Sequence, residues 1–120
     1  MPRVLIVDDS PTETYKFKEI LEKHGYDIIT ADNGADGVAI ARQEQPDVVL
    51  MDVVMPGLNG FQATRQLSKN AETKHIPVII VTTKDQETDR VWGRRQGASD
   101  YLTKPVDEAV LIETIKRALG

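Results

Sequence analysis

Five residues of this 120-residue chain place reactive side chains where apolar runs end. Asp8 and Asp9 follow "VLIV", Asp52 follows "VVLM", Thr82 follows "VIIV", and Lys104 follows "DYLT". Clustered carboxylates repel one another unless positive charge sits among them. Lys104 supplies one such charge, and the negative charge left over suits a hard divalent cation. So small an all-oxygen donor set favours Mg²⁺ that keeps several of its waters. A plainer alternative makes Asp8 or Asp9 a helix N-cap and Asp52 a solvated loop residue. Capping explains one carboxylate. It does not explain three, with a threonine and a lysine, at one edge.

The elements that must gather these residues are short and regular. "RVLIVD" (3–8), "DIIT" (27–30), "DVVLMD" (47–52), "PVIIVT" (77–82) and "DYLT" (100–103) read as strands. The first, third and fourth are apolar on both faces, as in a parallel sheet covered on each side. Between them runs helical spacing: Phe17, Ile20, Leu21 and His24; Ala35, Val38 and Ala39; Phe61, Thr64 and Leu67. Thr88, Val91, Trp92 and Arg95 follow, then Leu111, Ile115, Ala118 and Leu119. On this spacing Trp92 belongs to helix–sheet packing rather than to a contact surface. Gly25 and Gly97 stand where left-handed C-caps would sit, Asn33-Gly34 turns into the second helix, and Asp107 suits the N-cap of the last.

Successive β-α units with right-handed crossovers imply an α/β fold. The expected form is a doubly wound five-stranded parallel sheet in the flavodoxin-like order 2-1-3-4-5, a three-layer sandwich. A closed barrel would need more units and more chain. In such sheets ligands bind beyond the carboxyl ends of the strands, at the switch point between strands 1 and 3. Those strands would lie about 4.8 Å apart, which puts Asp9 and Asp52 within reach of one small cation.

Composition narrows the function classes. The net charge of −4 leaves no electrostatic footprint for nucleic acid. With no cysteine, disulfides and thiolate metal sites are excluded. The longest apolar runs are too short to cross a bilayer, and the N-terminus reaches Asp8 too soon for a secretory signal. The expectation is a cytoplasmic protein without membrane insertion. His24 and His75 lack any ligand pairing and are given no role.

Taken in order, "VDDS", "LMDVVMPGLNG", "VIIVTT" and "YLTKP" resemble the receiver domain of two-component response regulators, the CheY-like fold. The resemblance covers essentially the whole chain, so one receiver domain over residues 1–120 with no effector domain is expected. "VVMPGLNGFQATRQL", "VIIVTTKDQETD" and "YLTKPVDE" look most like the stand-alone receivers of type IV pilus (twitching motility) systems.

The resemblance implies a role for each residue. Asp52 would be the phosphoacceptor that takes a phosphoryl group from a histidine kinase or its phosphotransfer domain. Asp9 would ligate Mg²⁺ directly, Asp8 largely through bound water, and the backbone carbonyl of Val54 would complete the set. Lys104 would pair with phosphoryl oxygens, ahead of a cis Lys104–Pro105 bond. Thr82 would be the switch hydroxyl and Tyr101 the aromatic that turns inward behind it. Singly, each has an ordinary reading: a strand threonine, a surface lysine, a partly exposed edge-strand tyrosine. Output would pass from helix 4, strand 5 and helix 5 to a downstream motility or signalling protein, or the domain would act as a phosphate sink. A monomer is expected, with no enzymatic activity beyond phosphotransfer and slow autodephosphorylation. One departure is Thr83, where the family usually has a smaller residue; it tightens access to Asp52. By the same resemblance Val54 and Lys84, two residues past Asp52 and Thr82, would flank the path of attacking water and set how long the acyl phosphate lasts.

Three rival readings each meet an objection, and the first is rejected. A flavodoxin-like electron carrier would need phosphate-binding donors after strand 1, where Asp8-Asp9 would repel an anion. An aspartyl-phosphate hydrolase would carry a second aspartate two residues past its nucleophile, where this chain has Val54. A degenerate receiver serving only as an interaction module would not need the intact set of Asp8, Asp9, Asp52, Thr82 and Lys104.

Overall fold

Side-chain alternation along the central strands dictates the layers. β1 (Arg3–Val7), β3 (Val48–Met51) and β4 (Val78–Thr82) are buried almost throughout, so both of their faces must be covered. The computed structural model, which describes residues 1–120, shows what covers them. Val4 and Ile6, Val48 and Leu50, and Ile79 and Val81 form one core with α1 (Pro11–Lys23) and α5 (Glu108–Leu119). Phe17 and Leu21 come from the first helix, Leu111 and Ile115 from the second. The intervening residues Leu5, Val7, Val49, Met51 and Val78 form the opposite core. They gather with Ala41 of α2 (Gly34–Glu44) and with Ala63 and Leu67 of α3 (Gly60–Lys69). Slipping any central strand by one residue would exchange its two faces, so burial fixes the register.

β2 (Asp27–Ala31) and β5 (Asp100–Thr103) take the edges, and α4 (Glu87–Arg95) precedes β5. The five strands are parallel, in the expected order β2-β1-β3-β4-β5. The predicted caps also hold. Asn33 accepts from the backbone N–H of Asp36 at 2.8 Å, and Asp107 from that of Val110 at 3.3 Å. Gly25 and Gly97 follow their helices at φ +87° and +110°.

Two helices turn differently from the sequence expectation. In α2, Gly34, Gly37 and Ala41 are buried, whereas Ala35 and Ala39 are exposed. Gly37 lets the helix lie directly on Val7, so the glycines and Ala41 face inward with Val38 half-buried beside them, while Ala35 and Ala39 turn outward. In α4 the buried position is Gly93, with Gln96 buried at the C-cap, while Thr88, Val91 and Arg95 are exposed and Trp92 is 49% exposed. The apolar spacing there marks the outer face. Trp92 is therefore not a helix–sheet packing residue.

Candidate functional site

The β1–β3 register builds the centre of the site. Val7 pairs with Met51, and the backbone N–H of Asp52 donates to the carbonyl of Val7 at 2.9 Å. The next residue on each strand is a buried aspartate, so Asp8 stands across from Asp52. Asp9 joins them from the exposed turn, and one carboxylate oxygen from each of the three lies within 4.8 Å of the others. Sequence reasoning paired Asp9 with Asp52; the register makes Asp8 the strand-to-strand neighbour.

Neither Asp8 nor Asp9 caps α1. Ser10 is the N-cap, accepting from the backbone N–H of Glu13 at 3.3 Å. Asp8 instead accepts from the N–H of Ser10 at 2.9 Å, which fixes its carboxylate at the edge. That removes the capping alternative.

β5 delivers the positive charge. Its pairing with β4 continues into a hydrogen bond from the N–H of Lys104 to the carbonyl of Thr82 at 2.8 Å. The Lys104–Pro105 bond is cis, as expected. Lys104 Nζ lies 2.8 Å from Asp8 Oδ2, 3.5 Å from Asp52 Oδ2 and 3.7 Å from Glu13 Oε1. Glu13 was not singled out from the sequence. Its only signal was the Ser-x-x-Glu spacing of a capping box, and that spacing points to helix structure rather than to the site.

Burial shapes the electrostatics. Asp52 is 8% exposed. Loss of solvent pushes its carboxyl above the ordinary value, and the charge of Asp8 adds to this, although Lys104, the N–H of Val53 and the Thr82 hydroxyl pull the other way. For Lys104, desolvation opposes the charge. The hydrogen bond to Asp8 and the charges of Asp52, Asp8 and Glu13 outweigh it, leaving the ammonium above its usual range. Lys104 therefore stays cationic at neutral pH, opposite a carboxylate that burial has made more basic.

The loop after β3 is held by close backbone contact. The N–H of Val53 donates to Asp52 Oδ1 at 2.7 Å, and that of Gly60 to the carbonyl of Val53 at 3.0 Å. A Cβ at Gly60 would lie 1.9 Å from the carbonyl oxygen of Asp52, so only glycine fits. Val54 projects from this loop, 58% exposed, and Thr83 and Lys84 are exposed across from it on the loop after β4. Thr82 is fully buried, and its Oγ1 lies 3.4 Å from the backbone N–H of Lys84. Tyr101 is 3% exposed and turned inward, its hydroxyl donating to the carbonyl of Lys84 at 2.7 Å. It is not a partly exposed edge aromatic.

The donor set is chemically uniform: three carboxylates, no thiolate or imidazole, and one ammonium held to one side. Such a set fits a hard, partly hydrated divalent cation rather than a softer metal.

Comparison with known proteins agrees with this geometry. Residues 4–116 match the family described as the response regulator receiver domain. The chain is 74% identical over 120 residues to protein PilH of Pseudomonas aeruginosa, covering 100% of this chain and 99% of PilH. It is 39% identical over 114 residues to the response regulator PleD of Caulobacter vibrioides, spanning 95% of this chain and 25% of PleD. Among solved structures, Vibrio cholerae CheY4 superposes with a TM-score of 0.92 at 31% identity, covering 99% of both chains. The receiver domain of a Pseudomonas aeruginosa sensor histidine kinase, solved with magnesium coordinated in its active-site cleft, gives 0.92 at 29% identity. That match covers 99% of this chain and 98% of the other.

Proposed function

The chain belongs to the response regulator receiver domain family, and from that premise we propose that it accepts a phosphoryl group on Asp52 from a histidine kinase or its phosphotransfer domain. The observation that carries the reading is the convergence of Asp8, Asp9 and Asp52 within 4.8 Å, with Lys104 between Asp8 and Asp52.

In this reading an Asp52 oxygen attacks the phosphorus of a phosphohistidine in line. The new P–O bond forms as the P–N bond breaks, and the imidazole leaves with its electron pair. Asp8, Asp9 and Asp52, with the Val54 carbonyl, would hold Mg²⁺, which when bound offsets the charge between the phosphoryl oxygens and the carboxylates. Lys104 neutralises a phosphoryl oxygen on the other side. The Thr82 hydroxyl, buried beside Asp52, then gains a more strongly charged acceptor in the phosphoryl oxygens, so phosphorylation favours whichever state turns Thr82 toward them.

Output by protein contact follows from the surface above the switch. Helix α4 presents Val91 and Trp92 to solvent, and Tyr101 lies beneath it. The face of α4, β5 and α5 is the proposed docking surface for a motility or signalling partner. The 74% identity to PilH, together with the resemblance to twitching-motility receivers, favours a pilus-linked pathway. A phosphate sink is the second reading, favoured if no partner prefers the phosphorylated form. The hydrolase reading is disfavoured because exposed Val54 offers no acid or base where that chemistry needs one.

Phosphotransfer from a phosphorylated histidine kinase, with the product mapped by mass spectrometry, tests the proposal. Label should sit on Asp52, vanish in Asp52→Asn and fall sharply in Asp9→Ala. Phosphate on Ser10 or Thr83 would overturn it.

A further inference from the structure

Lys104 has a third carboxylate beside it that comes from a helix and not from a strand end. Glu13 stands in the first turn of α1, where the Ser-x-x-Glu spacing would turn its side chain back to the N–H of Ser10. That N–H is already taken, since it donates to Asp8 Oδ1 at 2.9 Å. Glu13 instead lies 3.7 Å from Lys104 Nζ. Phe17, one turn further along the same face of α1, sets its ring centroid 6.0 Å from that nitrogen. The Glu13 side chain is 28% exposed, against 3% for Asp8 and 10% for Asp52. It is the outermost carboxylate around the ammonium.

The distances separate anchoring from charge. Asp8 anchors the ammonium by a hydrogen bond at 2.8 Å, and the lysine backbone is fixed by its N–H to the Thr82 carbonyl at 2.8 Å. At 3.7 Å Glu13 is in ion-pair range but too far for a hydrogen bond. Lys104 therefore keeps its place without Glu13. What Glu13 adds is one more negative charge, set apart from the three carboxylates whose oxygens converge.

We propose that Glu13 is a specificity-determining residue of the phosphoryl-transfer site, an outlying charge that weakens the binding of free phosphodonor anions beside Lys104. The inference rests on the reading of Asp52 as phosphoacceptor. Two effects run the same way, because Glu13 repels phosphoryl oxygens and also competes with them for the ammonium. The phosphoryl group keeps its negative charge from bound donor to transition state, so the penalty falls on binding and not on transfer. With acetyl phosphate as donor, the bond from Asp52 to phosphorus forms as the acyl oxygen–phosphorus bond breaks. Acetate leaves with the electron pair. A free donor below its KM feels the whole penalty. A phosphohistidine on a docked protein is held by contacts elsewhere, at an effective concentration that saturates the site, and feels little of it.

The test compares acetyl phosphate with a phosphohistidine protein donor on the full chain at saturating Mg²⁺, following phosphate on Asp52 by mass spectrometry. Glu13→Gln should lower the KM for acetyl phosphate roughly three- to tenfold, the effect of one partly exposed charge a few ångströms away. The rate at saturation should stay within about twofold of wild type, as expected when only uniform binding changes. The KM gap should narrow as salt is raised, because screening acts on charge and not on packing. Glu13→Asp, which keeps the charge, should lie nearer wild type than Glu13→Gln does. Transfer from a saturating phosphohistidine donor should run at a similar rate in all three proteins. An unchanged KM in Glu13→Gln, with Asp52 still labelled by the histidine donor, would overturn this inference alone. So would a loss of saturating rate with both donors, which would make Glu13 a support for Lys104. If neither donor labels Asp52 in any of the proteins, the phosphoacceptor reading falls and the inference falls with it.

Discussion

The ammonium of Lys104 is hydrogen-bonded to Asp8 at 2.8 Å, which ties β5 to β1 across two intervening strands. Asp52 stands farther from the same nitrogen, at 3.5 Å. The lysine is thus chiefly a partner of Asp8 rather than of Asp52.

Replacing Lys104 by alanine should therefore have effects of opposite sign. Loss of a charge-assisted hydrogen bond lowers metal-free stability by about 1.5–3 kcal/mol, measurable by urea unfolding. Mg²⁺ affinity should rise, because the carboxylates lose a competing cation, while phosphotransfer to Asp52 falls. Unchanged phosphotransfer would leave the lysine a structural role only.

The raised folded-state pKa of Asp52 makes a pH prediction with a definite sign. The folded protein takes up this proton more readily than the unfolded chain, so charge on Asp52 costs stability above its folded-state pKa. The cost shrinks as pH falls through that value and is gone below the ordinary 3.8. Without Mg²⁺, Asp52→Asn should melt higher than wild type at neutral pH, and the two melting curves should converge toward acid. A gap that persists or widens in acid would mean that the carboxylate is not destabilising.

Gly60→Ala brings a Cβ to 1.9 Å from the Asp52 carbonyl, against backbone that cannot swing aside. Overpacking of this kind costs about 1–3 kcal/mol or more. The melting temperature should drop by several degrees, and phosphotransfer should slow because the displaced backbone carries Asp52. A Gly60→Ala protein as stable and as readily phosphorylated as wild type would mean the loop adapts.

Trp92→Ala separates packing from docking. With the side chain half exposed, stability should change by no more than about 0.5 kcal/mol. Binding of the phosphorylated protein to its downstream partner should weaken by on the order of tenfold or more, the cost of losing a tryptophan hot spot. A large stability loss would return Trp92 to the core; unchanged binding would move the docking face elsewhere.

The sequence by itself determined most of the architecture. β-branched runs buried on both faces required a covered parallel sheet, and capping residues such as Asn33 and Asp107 marked where helices begin. Asp8, Asp9, Asp52 and Thr82 were legible because they follow such runs, and Lys104 because it follows the edge strand β5; strand ends in this fold converge on one edge. Local signals sufficed there because they repeat at every unit.

What only the tertiary structure decided depends on which face meets which neighbour. The register of Val7 with Met51 set Asp8, not Asp9, across from Asp52. Glu13 reached Lys104 only once α1 and β5 were brought together. In α4, and for Ala35 and Ala39 though not Val38 of α2, the apolar spacing misled, because glycine carries no hydrophobic signal yet permits the closest approach. Gly37 against Val7 and Gly93 against Tyr101 rotated those helices, leaving Trp92 in solvent and the tyrosine beneath Arg90. Hydrophobic periodicity reports how much apolar surface a helix has; shape, through the absence of a Cβ, chose which side of it would be buried.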